Sequence, residues 1–135
     1  MMSPVRILHV DDESSFLDLT AEFLSQEDDR FEIASETSPA AALDRLDAEG
    51  FDCIVSDYQM PSQTGLAFLE TVRESHPSLP FIIFTGEGSE IAASDAISAG
   101  ATDYLQKRTE PEQFHDLATR ILNAVERTEY RRTTP

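Results

Sequence analysis

The sequence contains a single cysteine, a single lysine and no long apolar run. Because Cys53 stands alone inside an apolar segment, no intramolecular disulfide is expected. No segment approaches the roughly 18–20 apolar residues of a membrane span, and the N-terminus lacks the apolar core of a signal peptide. We therefore expect a cytoplasmic protein with no membrane partner. At 135 residues and 40% hydrophobic content, the chain has the size of one domain with a real core.

Basic residues are also scarce. Ten basic residues face 26 acidic ones, and the net charge is −16. A surface this negative repels nucleic acid, so direct nucleic-acid binding is not expected. Every basic residue except Lys107 is an arginine. An acidic, lysine-poor surface is typical of proteins from a high-salt cytoplasm and indicates a halophile, the alternative being a protein that is merely acidic.

Five apolar segments predict β-strands. They are Val5–Val10, Phe31–Ala34, Cys53–Ser56, Phe81–Phe84 and Asp103–Leu105. Three of them are near-continuous apolar runs, as expected for strands that are covered on both faces. The second is shorter and more polar, which favours an edge position.

Helical periodicity fills the intervals between the strands. The predicted apolar stripes are Phe16, Leu19, Thr20, Phe23 and Leu24; Leu43 and Leu46; Leu66, Leu69 and Val72; Ile91, Ala92, Ala96 and Ile97; and Phe114, Leu117, Ala118, Ile121, Leu122 and Val125. Ser38-Pro39 predicts the start of the second helix, and the third should end before His76-Pro77. Thr109–Glu112 predicts a capping box with proline at the first helical position of the fifth helix.

The alternation of strands and helices predicts an α/β fold. Right-handed crossovers give a doubly wound five-stranded parallel sheet, (βα)5, with helices on both faces. Residues 4–126 are expected to form the domain. Residues 127–135 are expected to be a polar tail or the start of a linker.

Reactive polar residues follow four of the predicted strands. Asp11 and Asp12 follow the first strand, Asp57 the third, Thr85 the fourth and Lys107 the fifth. In a parallel sheet these strand ends share one edge, where such sheets bind ligands. Clustered carboxylates repel one another unless a cation lies among them, and hard carboxylate oxygens suit Mg²⁺. A hydroxyl and an ammonium beside them would suit a phosphoryl group.

Each of these residues also has an ordinary structural interpretation. The aspartate pair could cap a helix, Asp57 could lie in a surface turn, and threonine is common in strands. For Lys107 the ordinary interpretation, a solvated surface charge, is disfavoured because arginine occupies every other basic position.

The residues match the motifs of a known family. The acidic pair, Asp57-Tyr-Gln-Met-Pro-x-x-x-Gly65, Thr85-Gly86 and Tyr104-x-x-Lys107 together resemble the receiver domain of two-component response regulators, the CheY-like type. This resemblance implies the flavodoxin-like strand order 2-1-3-4-5. The segments 84–90 and 99–104 are similar to those of haloarchaeal receivers. Any one of these motifs is weak, but all four in this order are highly specific.

The resemblance implies a role for each site residue. Asp57 would accept the phosphoryl group from a phosphohistidine of a partner histidine kinase. Asp12 would bind Mg²⁺, or alternatively Mn²⁺, directly, Asp11 mainly through water, and the main-chain carbonyl of Gln59 would complete the protein ligands together with Asp57. Thr85 and Lys107 would contact the phosphoryl oxygens. Tyr104 would be the switch aromatic that follows Thr85, although an ordinary half-buried strand tyrosine is the alternative.

The resemblance also implies a signalling protein that catalyses only its own phosphorylation and dephosphorylation. Its partners would be the histidine kinase and a downstream effector, a phosphotransfer protein or a fused sensor or kinase domain. The protein would be a monomer or a weak phosphorylation-dependent dimer. One departure stands out: the family usually has a cis-linked proline after the lysine, whereas this chain has Arg108, which leaves the path of that loop open.

Two other functions compete with this interpretation. A freestanding Mg²⁺-dependent phosphatase would also use Asp57 as nucleophile, but such enzymes commonly have a second acid two residues later, where this chain has Gln59. An interaction domain that has lost phosphorylation would not need the complete set of site residues.

Overall fold

The computed structural model describes residues 3–86 and 88–133, in which five strands alternate with five helices. The strands are β1 Val5–Val10, β2 Phe31–Glu36, β3 Cys53–Ser56, β4 Phe81–Thr85 and β5 Asp103–Gln106. The helices are α1 Ser14–Glu27, α2 Pro39–Ala48, α3 Gly65–Ser75, α4 Glu90–Ser98 and α5 Glu112–Thr133. No helix in this part of the chain is long and apolar enough to cross a membrane.

All five strands form one parallel sheet in the order β2-β1-β3-β4-β5. The predicted α/β class and strand order are confirmed. β2 lies at the edge, as its polar sequence predicts, but it extends two residues further than predicted. The extension has a physical cause, since Ser35 and Glu36 pair with His9 and Val10 and so continue the ladder to the end of β1.

Helices cover the sheet on both faces. One apolar cluster joins the sheet to α1 and α5 and includes the fully buried Phe84. The other joins the sheet to α2, α3 and α4 and includes the fully buried Phe68 and Phe81. This double coverage explains why the central strands are almost uniformly apolar.

The helical stripes differ from the prediction at three isoleucine or leucine positions. In α1, Leu19 is 43% exposed, and Leu17 is buried in its place. In α4, Ile91 and Ile97 are 75% and 51% exposed, because this short helix packs on the sheet only through the small side chains of Ala92 and Ala96. Periodicity alone does not show which of two overlapping stripes faces the sheet.

The ends of α5 also differ from the prediction. The helix begins at Glu112, so Pro111 precedes it, and the main-chain amide of Phe114 donates to the carbonyl of Pro111 at 3.0 Å. Among the hydrogen bonds of the described residues, none links Thr109 to Glu112, so the predicted capping box is not formed. The helix continues through residues 127–133 of the predicted tail, and positions 134 and 135 lie outside the described residues.

Candidate functional site

Hydrogen bonds between neighbouring strand ends bring the predicted site residues together at one edge of the sheet. The amide of Asp57 donates to the carbonyl of Val10 at 2.9 Å, which joins the ends of β3 and β1. The amide of Lys107 donates to the carbonyl of Thr85 at 2.7 Å, which joins the ends of β5 and β4. The parallel register therefore brings together the four strand ends that carry the five side chains selected from the sequence.

Lys107 lies between two carboxylates. Its ammonium nitrogen Nζ donates to Asp11 Oδ2 at 2.7 Å and to Asp57 Oδ2 at 3.3 Å. The Asp11 side chain is fully buried, whereas those of Asp57 and Lys107 are 11% and 17% exposed. The ammonium thus offsets charge that two neighbouring aspartates would otherwise hold unpaired in a poorly solvated place.

The environment shifts both members of the Lys107–Asp11 pair. Burial raises the pKa of Asp11, against the hydrogen bonds from Lys107 and from the amide of Glu13. Burial alone would lower the pKa of Lys107, but the hydrogen bond to Asp11 and the charges of Asp11 and Asp57 outweigh it and raise that pKa. The shared proton therefore stays on the lysine, which remains a cation at neutral pH.

The three aspartates also form a set of metal-ligand atoms. One carboxylate oxygen from each of Asp11, Asp12 and Asp57 lies within 4.8 Å of the others. Both oxygens of Asp11 already accept hydrogen bonds, Oδ1 from the Glu13 amide at 2.9 Å and Oδ2 from Lys107. Asp12 is exposed. Three hard oxygen donors in this arrangement fit a divalent cation such as Mg²⁺, with Asp12 more accessible to it than Asp11.

An open cavity of about 400 Å³ borders this cluster. Asp57, Gln59, Thr85 and Lys107 line it, together with Glu13 and Gly86. Thr85 is buried, at 2% exposure. Tyr104 is half-buried and packs against the apolar cluster that lies between the sheet and helices α2, α3 and α4. The structure therefore gathers the predicted nucleophile, hydroxyl and ammonium around one space and places Tyr104 beside β4, where it pairs with Ile83.

Gly65 supports the main chain of the site from behind. Its amide donates to the carbonyl of Tyr58 at 2.6 Å. A side chain at this position would overlap the main-chain carbonyl oxygen of Asp57 and come within 2.9 Å of the Cα atom of Tyr58. Glycine is therefore required here for the close approach of two backbones.

Three residues near the site were not predicted to bear on it. Phe16 lies against Lys107, with Nζ 4.3 Å from the ring centroid. Gln113 is 4% exposed and its side-chain oxygen accepts from the amide of Arg108 at 2.7 Å. His9 is fully buried behind the site, and burial, aided by the charge of Lys107, lowers its pKa to about 3. The burial of Gln113 could have been predicted from the sequence, since it lies four residues before Leu117 and therefore on the apolar face of α5.

The loop after Lys107 is also now defined. Among the described residues every peptide bond is trans, which includes the bond between Lys107 and Arg108. The Arg108 guanidinium forms an exposed ion pair with Asp116 at 2.6 Å, while its main-chain amide is held by Gln113. A proline at position 108 would have no main-chain N–H group. Arg108 has one, and Gln113 provides its hydrogen-bond acceptor.

Comparison with known proteins gives the same answer from independent data. The family model for the response regulator receiver domain matches residues 7–119. The chain is 31% identical over 128 residues to the transcriptional regulatory protein TrcR of Mycobacterium tuberculosis, covering 95% of this chain and 48% of that protein. It is 38% identical over 114 residues to the alginate biosynthesis transcriptional regulatory protein AlgB of Pseudomonas putida, covering 84% of this chain and 25% of that protein. The chain thus spans half or less of the length of these relatives.

A solved structure supports the same assignment across the whole fold. The CheY-like response regulator receiver domain protein from Methanospirillum hungatei superposes with a TM-score of 0.85 at 28% identity, covering 96% of this chain and 99% of that one. Taken with the match over residues 7–119, this likeness means that the chain belongs to the receiver domain family of two-component response regulators.

Proposed function

We propose that Asp57 is the phosphoacceptor of this receiver domain. One observation carries the proposal: Asp57 lies at the cavity with an oxygen 3.3 Å from the Lys107 ammonium, in a space that Thr85 and Gln59 also line. Phosphoryl transfer depends mainly on positioning and on stabilisation of charge, which this arrangement supplies. Receiver domains are signalling domains, and we propose that this one catalyses only its own phosphorylation and dephosphorylation.

The proposed reaction forms an acyl phosphate. A carboxylate oxygen of Asp57 attacks the phosphorus of a phosphohistidine on a histidine kinase, and a new P–O bond forms as the P–N bond breaks. The electron pair of the broken bond stays on the imidazole nitrogen. If the other ring nitrogen carries a proton, the ring leaves as neutral imidazole; if it does not, the leaving nitrogen takes up a proton from solvent. Thr85 donates a hydrogen bond to the transferred group, and Lys107 offsets its charge. Attack by water on the phosphorus would return the carboxylate and inorganic phosphate.

Mg²⁺, or Mn²⁺ in its place, is the proposed cofactor. Asp12, Asp57 and the main-chain carbonyl of Gln59 would bind it directly. Asp11 would bind it through water, because its side chain is fully buried and lies closer to Lys107, at 2.7 Å, than Asp57 does, at 3.3 Å. The ion would neutralise charge on the carboxylates and on the phosphoryl group. The protein contributes the fixed positions of the oxygens.

The output of the domain is proposed from the same site. Thr85 would move toward the phosphoryl group and Tyr104 would follow it inward, which would change the surface presented to a downstream effector, a phosphotransfer protein or a fused domain. Residues 4–126 would form the domain that switches, with residues 127–135 leading out of it. The relatives named above are transcriptional regulators. The acidic, arginine-based composition supports a halophile with a high-salt cytoplasm as the setting.

A single-residue substitution tests the phosphoacceptor. The purified chain is incubated with Mg²⁺ and acetyl phosphate, and acid-labile phosphate on the protein is measured. We expect the natural chain and the control Asp47→Asn, which changes an exposed aspartate of α2, to be labelled equally. Asp57→Asn should take up none, and chelation of the metal should abolish labelling of the natural chain. Equal labelling of Asp57→Asn would refute the assignment.

The alternative of a freestanding phosphatase is not favoured. The family match covers most of the chain, and Gln59 lacks the acid group that would protonate a leaving alcohol. Multiple turnover on a simple phosphomonoester would reopen that alternative.

A further inference from the structure

The Lys107 ammonium has competing attractions within its site. It lies closer to Asp11, at 2.7 Å, than to Asp57, at 3.3 Å, and Asp11 is the more deeply buried of the two. A lysine side chain is long and flexible, so it can adopt many rotamers. Two carboxylates alone would therefore leave the ammonium free to move toward Asp11 and away from the oxygen on which the phosphoryl group is proposed to form.

A third group restrains the ammonium. Lys107 Nζ lies 4.3 Å from the centroid of the Phe16 ring, within the range of a cation–π interaction. Lys107 is only 17% exposed at its side chain, and such interactions are stronger where water is partly excluded. Phe16 thus adds an attraction on the ammonium besides those of the two aspartates.

The ring itself is held by neighbours from three other elements. Phe16 packs edge-on against His9 of β1 at 6.1 Å, and at a tilt against Phe84 of β4 at 5.6 Å and Phe114 of α5 at 6.2 Å. Phe84 and Phe114 are among the most deeply buried side chains of the described residues. A ring fixed in this way sets the position of the ammonium instead of following it.

We infer that Phe16 is a positioning residue for phosphorylation, holding the Lys107 ammonium within reach of Asp57 by a cation–π contact. The inference rests on the proposed function, because it matters only if Lys107 meets the phosphoryl group. It goes beyond that function, because Phe16 touches neither the proposed metal ligands nor the reacting carboxylate. In the sequence it has the pattern of an ordinary core residue of α1.

The chain offers a matched control. Phe23 lies two turns further along α1, is half-buried like Phe16, and stacks on the same Phe114 at 4.8 Å. Replacing either phenylalanine by leucine removes an aromatic ring from the same cluster, but only Phe16 touches Lys107. Phe16→Tyr keeps the ring face and serves as the conservative variant.

The test measures the rate of acid-labile phosphate uptake from acetyl phosphate with Mg²⁺. We expect Phe16→Leu to slow uptake about five-fold, the equivalent of a contact worth about 1 kcal/mol. Phe16→Tyr and Phe23→Leu should stay within about two-fold of the natural chain. In a Lys107→Gln background, already slow, Phe16→Leu should cause no further loss, because the cation is gone. If Phe16→Leu does not fold, Phe16→Met replaces it, since methionine fills the space without a ring face.

Two results would overturn the inference. One is an equal loss in Phe16→Leu and Phe23→Leu, and the other is an undiminished effect of Phe16→Leu in the Lys107→Gln background. Either would mean that Phe16 acts only through the packing of α1. If the natural chain takes up no phosphate, the proposed function fails instead, so the two failures are distinguishable.

Discussion

At the scale of single residues, the site depends on which oxygen and nitrogen atoms already have partners. Asp11 is fully buried, and its two oxygens accept from the Glu13 amide at 2.9 Å and from Lys107 at 2.7 Å. Asp57 accepts from the amide of Tyr58 through Oδ1 at 2.7 Å and faces Lys107 through Oδ2. Both aspartates accept from Lys107, but Asp57 is the more exposed of the two and lines the cavity, so its carboxylate is the more accessible one.

His9 provides a prediction about pH at the same scale. It is fully buried, neither ring nitrogen has a hydrogen-bond partner among the described residues, and Lys107 and Asp57 are the charged groups that act on it. Its pKa is about 3 in the folded chain, against an ordinary value of 6.5. The unfolded state therefore binds a proton that the folded state does not, and stability is full above about pH 6.5 and is lost as pH falls toward 3.

The measurement is urea unfolding of the natural chain and of His9→Leu at several pH values from 7 to 4. We expect the natural chain to lose up to about 1.4 kcal/mol more per pH unit than His9→Leu below pH 6. His115→Gln is the control. The hydrogen bond from exposed His115 to Glu27 raises the pKa of that histidine, so its small contribution is present at low pH and is lost as pH rises. Parallel pH curves for the natural chain and His9→Leu would contradict the prediction.

At the scale of elements, the connection from β5 to α5 decides where Lys107 lies. The amide of Arg108, the next residue, donates to buried Gln113 in the first turn of α5. The helix start therefore holds the loop by a side chain that reaches back over five residues. Loss of that acceptor would leave a part-buried amide without its partner, at a cost of about 1–3 kcal/mol.

Substitutions at Gln113 test this role. Gln113→Met keeps the length of the side chain but removes the acceptor, and we expect a loss of about 1–2 kcal/mol of unfolding free energy and faster hydrogen exchange of the Arg108 amide. Gln113→Glu retains an acceptor oxygen and should restore slow exchange. Asp116→Asn breaks only the exposed ion pair with Arg108 and should change stability by less than about 1 kcal/mol. Unchanged exchange in Gln113→Met would show that the loop is held by other contacts.

The elements also show what could be predicted from the sequence. Strand positions follow from apolar runs and the parallel sheet from right-handed crossovers, whereas the strand order came from the family resemblance. Lys107 could be singled out because arginine is used elsewhere. The exposure of Ile91 and Ile97 could not be predicted, because the helix packs on the sheet through Ala92 and Ala96 instead. Phe16 could not be linked to Lys107 either, since that contact spans α1 and the end of β5 and depends on tertiary packing.

At the scale of the whole molecule, the dominant feature is the net charge of −16. Ion pairs within the fold use several of the few arginines, as where Arg45 contacts both Glu36 and Glu49. Most of the acidic surface is left to repel itself. Two like charges 10 Å apart in water repel by about 0.4 kcal/mol, and many such pairs act together. Salt shortens the range of this repulsion from about 10 Å at 0.1 M to about 3 Å at 1 M.

We therefore expect the chain to gain stability as KCl increases. Between 0.1 and 2 M KCl, urea unfolding should show a rise on the order of 1–3 kcal/mol in unfolding free energy. KCl also acts on apolar surface, so a variant with four exposed acids of α1 and α3 neutralised separates the two effects: Asp18→Asn, Glu22→Gln, Glu70→Gln and Glu74→Gln. The variant should be more stable than the natural chain in 0.1 M KCl and should gain less from added salt. Equal salt dependence in the two chains would mean that the gain comes from the burial of apolar surface. If the stability of the natural chain did not change with KCl, the halophilic interpretation would be contradicted, because self-repulsion would then be too small to require a high-salt cytoplasm.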